Sequence, residues 1–132
     1  AAVIPAFIDA LLHGRRPRIH GDGEQTRDFC FVGNVVKANM LAGVAETFFA
    51  GESVNIACGE NISLNAMLAQ MQALLGTHVT PEYGPPRAGD VRDSLADIQA
   101  ARALLQNEPD VYFAEGLATT VKAYAAGHVR ST

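Results

Sequence analysis

Three arginines, Arg27, Arg87 and Arg92, and two aspartates, Asp90 and Asp93, are the side chains best suited to hold a charged ligand. No arginine of the three has an acidic residue four positions away that would explain it as a helix-surface pair. A guanidinium fork matches pairs of phosphate oxygens, and each hydrogen bond to a charged group contributes on the order of 1.5–3 kcal/mol. Asp90 and Asp93 would pair with these arginines or accept from sugar hydroxyls. The plain alternative is ordinary ion pairing, Arg27 with Asp28 and Arg87 with Asp90.

Other chemistries fail on spacing. Counting G-x-G-x-x-G from Gly21 puts Thr26 at the third glycine, and a strand rather than a helix is expected to follow, so the dinucleotide fingerprint is not met. The phosphate loop ending in Gly-Lys-Ser/Thr is absent. Four residues after Tyr83, Tyr112 and Tyr124 come Arg87, Gly116 and His128, so no Tyr-x-x-x-Lys pair exists. His13, His20, His78 and His128 show no metal-ligand spacing among themselves or with Cys30 and Cys58. No nucleophile elbow is present. Nothing in these residues does bond-breaking chemistry alone.

The elements that must position the arginines follow from periodicity and breakers. Ile4, Ile8, Leu11 and Leu12 predict a helix over 5–13, ended by Gly14. Residues 17–20 read as a strand, Gly21-Asp22-Gly23 as a turn, and Phe29, Phe31 and Val32 as a second strand. A helix is expected over 34–49, apolar on so much of its circumference that it wants burial on two sides. A strand at 54–57 precedes a helix capped by Ser63 and stopped by Gly76. Then come a strand over 78–83, a loop over 84–90 that starts Gly-Pro-Pro, and a helix from Asp97 to about 105. The last helix spans 113–126 with Leu117, Val121 and Tyr124 inward. Helices alternating with short strands define an α/β fold.

At 132 residues the chain suffices for one compact domain, and 48% hydrophobic against 18% charged residues supplies a core. A net charge of −4 argues against nucleic acid as a partner, and Arg15-Arg16-Pro17-Arg18 reads as a solvated turn. No apolar run approaches membrane-spanning length, and the first residues lack the basic start of a signal peptide. Two cysteines without Cys-x-x-Cys spacing read as free buried thiols of a cytoplasmic protein.

Beyond these readings, whole phrases are recognisable. Val-Ile-Pro-x-Phe at 3–7, Ile-x-Gly-Asp-Gly-Glu-Gln-Thr-Arg-Asp-Phe-x-x-Val at 19–32, Ala-Asn-Met-Leu-Ala at 38–42, Val-Asn-Ile-Ala-x-Gly at 54–59 and Arg-x-Gly-Asp-Val-Arg-x-Ser-Leu-Ala-Asp-Ile at 87–98 resemble the NAD-dependent epimerase/dehydratase family. These are extended short-chain dehydrogenase/reductases acting on nucleotide sugars, and the chain looks most like their UDP-N-acetylglucosamine and UDP-glucose 4-epimerases.

The resemblance implies a small mixed α/β substrate-binding portion over 1–132, the C-terminal half of such an enzyme without its Rossmann nucleotide domain. It implies that Arg27 and Arg87 hold the diphosphate and Asp90 contacts the ribose. Val3 would line the nucleotide side of the cleft, and Arg18 and His20 would flank the base. The family's catalytic Tyr-x-x-x-Lys and its glycine-rich NAD loop belong to the other half. The expectation is therefore no catalytic residue, no metal and no cofactor in this chain, NAD being the parent family's. Nucleotide sugar would bind weakly. The alternative is a non-catalytic self-associating or protein-docking module derived from such an enzyme, in which the helices over 34–49 and 5–13 present an apolar patch for homo-oligomerisation, for another protein or for a nucleotide-binding domain. Three departures from the family pattern stand out: Gly33-Asn34 where an acidic pair often opens the long helix, Ala100 and Gln106-Asn107 where a lysine and Gly-Tyr are usual, and Asp93 where histidine is common.

Overall fold

The computed structural model describes residues 2–46 and 51–129. Among the described residues, five helices and four short strands follow in order: α1 (Val3–Leu12), β1 (Arg18–His20), β2 (Thr26–Arg27), α2 (Val32–Val44), β3 (Ile62–Ser63), α3 (Leu64–Leu75), β4 (Glu82–Gly84), α4 (Gln99–Leu105) and α5 (Phe113–Val129). The strands form two pairs rather than one sheet. β1 runs parallel to β4, with Ile19 opposite Tyr83, and β2 runs antiparallel to β3, with Thr26 opposite Ser63.

Packing comes mainly from helices. Phe7, Ile8 and Leu11 of α1, Leu64, Met67, Leu68 and Met71 of α3, and Phe113, Leu117 and Val121 of α5 meet around Ile19 of β1. Each set recurs at three- and four-residue spacing, so each helix turns one stripe inward. Local caps delimit α3 as its sequence demands. The Ser63 side chain accepts from the Ala66 N–H, and Gly76 closes the helix in the left-handed conformation at φ 65°. Asp97 acts two residues before α4, accepting from the Gln99 N–H at 2.9 Å.

Several expected elements differ. Residues 28–31 and 54–57 form no strand. The backbone just after 54–57 is claimed by a side chain instead: the Asp28 carboxylate accepts from Cys58 N–H at 3.0 Å and from Gly59 N–H at 2.9 Å. Neither cysteine therefore lies in a strand. The expected strand over 78–83 shortens to β4. α2 starts at Val32 and ends at Val44; the expected continuation over 47–49 lies outside the described residues. Tyr124 is exposed rather than inward, because α5 meets the core only through its Phe113, Leu117 and Val121 stripe.

α2 is also not buried on two sides. Asn34 and Ala38 face inward, while Val32, Val36, Met40 and Val44, one turn apart, are 53–77% exposed. Asn34 itself is 2% exposed and holds the helix start in place. Its Oδ1 accepts from Asp110 and Val111 N–H at 3.0 and 3.1 Å, and its Nδ2 donates to the Val111 carbonyl at 2.7 Å.

The Gly-Asp-Gly turn shows why both glycines are needed. Gly21 and Gly23 sit at φ 88° and 80°, where L-residues are strained. A Cβ on Gly23 would in addition lie 2.1 Å from Asn65 Oδ1, whereas one on Gly21 meets nothing closer than 3.8 Å. Gly23→Ala is therefore expected to cost upwards of ~2 kcal/mol and Gly21→Ala about 1 kcal/mol, a ranking that parallel thermal melts will read.

Candidate functional site

α1, β1, β2 and the loop after β4 enclose a cavity of about 430 Å³. Its apolar wall comes from α1 and α3, through Val3, Phe7 and Leu64 among others, and its polar wall comes from Arg18, His20, Gln25, Arg27, Arg87 and Asp90. All six residues singled out by the family resemblance (Val3, Arg18, His20, Arg27, Arg87 and Asp90) line this one space. Two reach it from β1, one from β2, one from α1 and two from the loop, so no stretch of sequence holds the site by itself.

Arg27 is the hub. Its Nη1 donates to the Thr26 and Val91 carbonyls at 2.6 and 2.7 Å, and its Nη2 to Asp90 Oδ1 at 2.5 Å. Both partners of the Arg27–Asp90 pair are about one-third exposed at the side chain, 28% and 35%. Arg27 thus ties the loop to β2 and brings one positive charge to the cavity edge. Arg87 is exposed, and its side chain shows no hydrogen bond or ion pair among the described contacts. Its fork is available to an anion in a way that Arg27's, spent largely on protein, is not. Ion pairing of Arg27 with Asp28 and of Arg87 with Asp90 is not what forms. Asp28 turns away from Arg27 to the Cys58 and Gly59 backbone, and the Arg87 backbone carbonyl, not its side chain, meets the Asp90 N–H, at 3.2 Å.

Arg92 and Asp93 lie outside the cavity. Arg92 Nη1 donates to both Asp22 oxygens at 2.9 Å, and this pairing holds the Asp22 carboxyl below the usual carboxylate range. Asp93 accepts from the Thr26 hydroxyl at 2.8 Å, and Thr26 N–H bonds to the Arg92 carbonyl at 2.8 Å. The charge at Asp93 therefore serves as a loop anchor on β2 and does not face the cavity. In the basic cluster, Arg16 is not simply solvated: its Nε and Nη2 donate to the Thr80 and Pro81 carbonyls at 3.0 Å.

Among the buried polar side chains, Gln25 went unmarked in the sequence and Asn34 was marked only as a departure from the family pattern. Gln25 is 7% exposed and lines the cavity, its Nε2 donating to the His20 carbonyl at 2.6 Å. Neither belongs to a periodic pattern. The one signal available was that each sits at the mouth of a segment otherwise apolar or turn-forming, where an amide is easily read as solvent-facing.

The thiols offer no nucleophile. Burial pushes Cys30 up to about 11, with the neighbouring Cys58 thiol adding to the shift, and burial raises Cys58 as well. Iodoacetamide at pH 7.5 is expected to alkylate the folded chain about a hundredfold more slowly than the unfolded one, read by mass spectrometry. No metal-holding group of three or more His, Cys, Asp or Glu exists among the described residues, and no described helix is long and apolar enough to cross a membrane. The glycines at 21 and 23 lead through Gln25 into β2, not into a helix N-terminus, so this turn does not form a dinucleotide cradle.

The described residues form a helical core that presents an arginine-lined cleft beside two short strand pairs, a mixed α/β arrangement. Residues 1–57 match the family described as NAD dependent epimerase/dehydratase family, and the chain belongs to that family. It is 39% identical over 92% of its length to UDP-glucose 4-epimerase of Mycolicibacterium smegmatis, of which it spans 38%. Its fold matches, at TM-score 0.89 and 37% identity over 96% of the chain, UDP-glucose 4-epimerase of Thermotoga maritima with UDP-glucose, covering 40% of that protein. It likewise matches UDP-N-acetylglucosamine 4-epimerase of Methanobrevibacter ruminantium M1 in complex with UDP-N-acetylmuramic acid, at TM-score 0.87 and 37% identity, again covering 40%. The mixed α/β fold is that of the C-terminal part of extended short-chain dehydrogenase/reductase epimerases. The chain spans about two-fifths of the length of these relatives.

Proposed function

We propose that residues 1–132 are the domain that grips the nucleotide sugar, a UDP-hexose, in an NAD-dependent 4-epimerase, and that they do no chemistry alone. The observation that carries this reading is the arrival of Arg27 and Arg87, far apart along the chain, at one cavity with an apolar wall beside them. Arg87 supplies a free fork for the diphosphate and Arg27 a second positive charge. Asp90 accepts from ribose hydroxyls, Arg18 and His20 flank the base, and Val3 closes the nucleotide side. The setting is the cytoplasm, where both thiols stay reduced.

NMR titration of the chain with UDP and UDP-N-acetylglucosamine tests this. The expected dissociation constant is no better than about 0.1 mM, since the chain spans only about two-fifths of its relatives and would supply only part of the site. Nanomolar affinity would overturn the half-site reading, and no chemical-shift change at 10-millimolar-order ligand (~10 mM) would overturn nucleotide binding itself.

A second reading rests on a separate observation. The exposed stripe Val32, Val36, Met40 and Val44 on α2 is an apolar surface suited to homo-oligomerisation or to docking on a nucleotide-binding domain. Light scattering decides it: self-association that Met40→Glu abolishes supports this reading, and a monomer at every concentration counts against homo-oligomers.

A further inference from the structure

We infer that Asp90 keeps bare anions off Arg27: it occupies the arginine's anion-gripping edge as an internal counter-ion and yields it to a ligand that brings hydroxyl donors along with its phosphates. The inference rests on the UDP-sugar reading above. It adds what makes the site prefer a nucleotide diphosphate to free pyrophosphate.

The donors of Arg27 leave one route for a phosphate. Nη1 gives its two N–H bonds to the Thr26 and Val91 carbonyls. A guanidinium grips an anion at two points through Nη1 with Nη2, or through Nε with Nη2. With Nη1 spent, a two-point grip must pass through Nη2, and Nη2 donates to Asp90 Oδ1 at 2.5 Å. A phosphate arriving there meets a carboxylate already in place, acceptor against acceptor and negative against negative.

The pair is placed to exchange partners. Both side chains line the cavity and are about one-third exposed, so a ligand reaches them, and ion pairs of such exposure add little to stability. Asp90 also borders a second cleft of about 100 Å³, so packing does not lock its carboxylate. It follows Gly89, which sits at φ 79° with nothing within 4 Å of where a Cβ would stand. The chain is anchored on either side: Gly21 N–H bonds to the Gly84 carbonyl at 2.9 Å and Thr26 N–H to the Arg92 carbonyl at 2.8 Å. Adjustment is thereby confined to the stretch between, which carries Arg87 and Asp90.

Ligands differ in what they return to Asp90 on displacing it. Pyrophosphate offers oxygens that accept, and the carboxylate is left beside its negative charge. A nucleotide diphosphate offers ribose hydroxyls, so Arg27 passes from carboxylate to phosphate while Asp90 passes from guanidinium to hydroxyl. Selection then comes from repulsion of the wrong ligand as much as from attraction of the right one.

NMR titrations at fixed ionic strength, with UDP and with magnesium-free pyrophosphate, test this on wild type, Asp90→Asn, Arg27→Ala and the double variant, below the melting midpoint of each. Asp90→Asn is expected to bind pyrophosphate about fivefold more tightly than wild type and UDP no more tightly. On the Arg27→Ala background the same change should alter pyrophosphate affinity less than about twofold, because no guanidinium remains to unmask. A pyrophosphate gain under about twofold in the single variant would mean that Asp90 masks nothing. An equal gain for UDP would mean repulsion without selection, and a gain that persists without Arg27 would mean that Asp90 acts through space on Arg87. Any of these three results overturns the inference while leaving wild-type UDP binding intact, whereas a wild-type chain that does not bind UDP sinks the function proposed above as well.

Discussion

Arg87→Ala is expected to weaken UDP binding tenfold to a hundredfold while leaving the thermal midpoint within about 2 °C of the wild type. One or two charge-assisted hydrogen bonds at roughly 1.5–3 kcal/mol each set that range. The stability is spared because the Arg87 side chain is exposed and makes no described contact with the rest of the protein. Arg27→Ala should behave differently. It removes a guanidinium that bonds Thr26, Val91 and Asp90 and pins the loop after β4 to β2. Affinity should fall by a comparable factor and the midpoint should fall as well, by about 3–5 °C for each kcal/mol lost in a chain of this size. NMR titration paired with a thermal melt separates the two variants. If Arg87→Ala lowered stability as much as Arg27→Ala, the division into a free fork and a structural hub would be wrong.

The largest stability effect is expected at Asn34. Replacing it with leucine, a side chain of similar size, strips partners from two N–H groups and one carbonyl of residues 110–111 around a position only 2% exposed. Stranding buried backbone groups costs about 1–3 kcal/mol apiece, partly relieved where water reaches them, so a total near ~3–4 kcal/mol is expected. Asn34→Asp keeps both accepted hydrogen bonds but loses the donations to the Val111 carbonyl and the Cys58 sulfur and sets a carboxylate oxygen against that carbonyl. About half the loss is therefore expected, and urea unfolding with an unchanged m-value will rank wild type, aspartate and leucine in that order. Families with an acidic residue here would need a different partner at 111; the amide fits this chain because it faces two donors and one acceptor at once.

Much of the fold was legible because its causes are local. Ser63 and Gly76 delimit α3 through hydrogen bonds and a left-handed φ that those residue types favour on their own. The Gly-Asp-Gly turn, the α1 stripe and the α5 core residues Leu117 and Val121 likewise need only near neighbours. The expected strand at 54–57 failed for the converse reason. Apolar alternation says that Val54 and Ile56 fit a pleated surface, but a strand also needs a partner, and the neighbouring N–H groups at 58 and 59 go to Asp28.

The arginines show the same boundary most sharply. Residue types showed that Arg27 and Arg87 carry groups that suit either phosphate or ordinary ion pairs, and the ordered phrases supplied the resemblance to a nucleotide-sugar enzyme family. Adjacent residues in extended chain point to opposite sides, so Arg27 and Asp28 could not pair with each other. Only the packing of α1, α3 and α5 around Ile19 brought β1, β2 and the loop after β4 to one cavity, where Arg27 met Asp90 and Gln25 was buried with an oxygen to spare. Local preference specifies which group each residue carries, while hydrogen bonds and charges act through space over a few ångströms. Which groups meet was therefore decided by the folded chain.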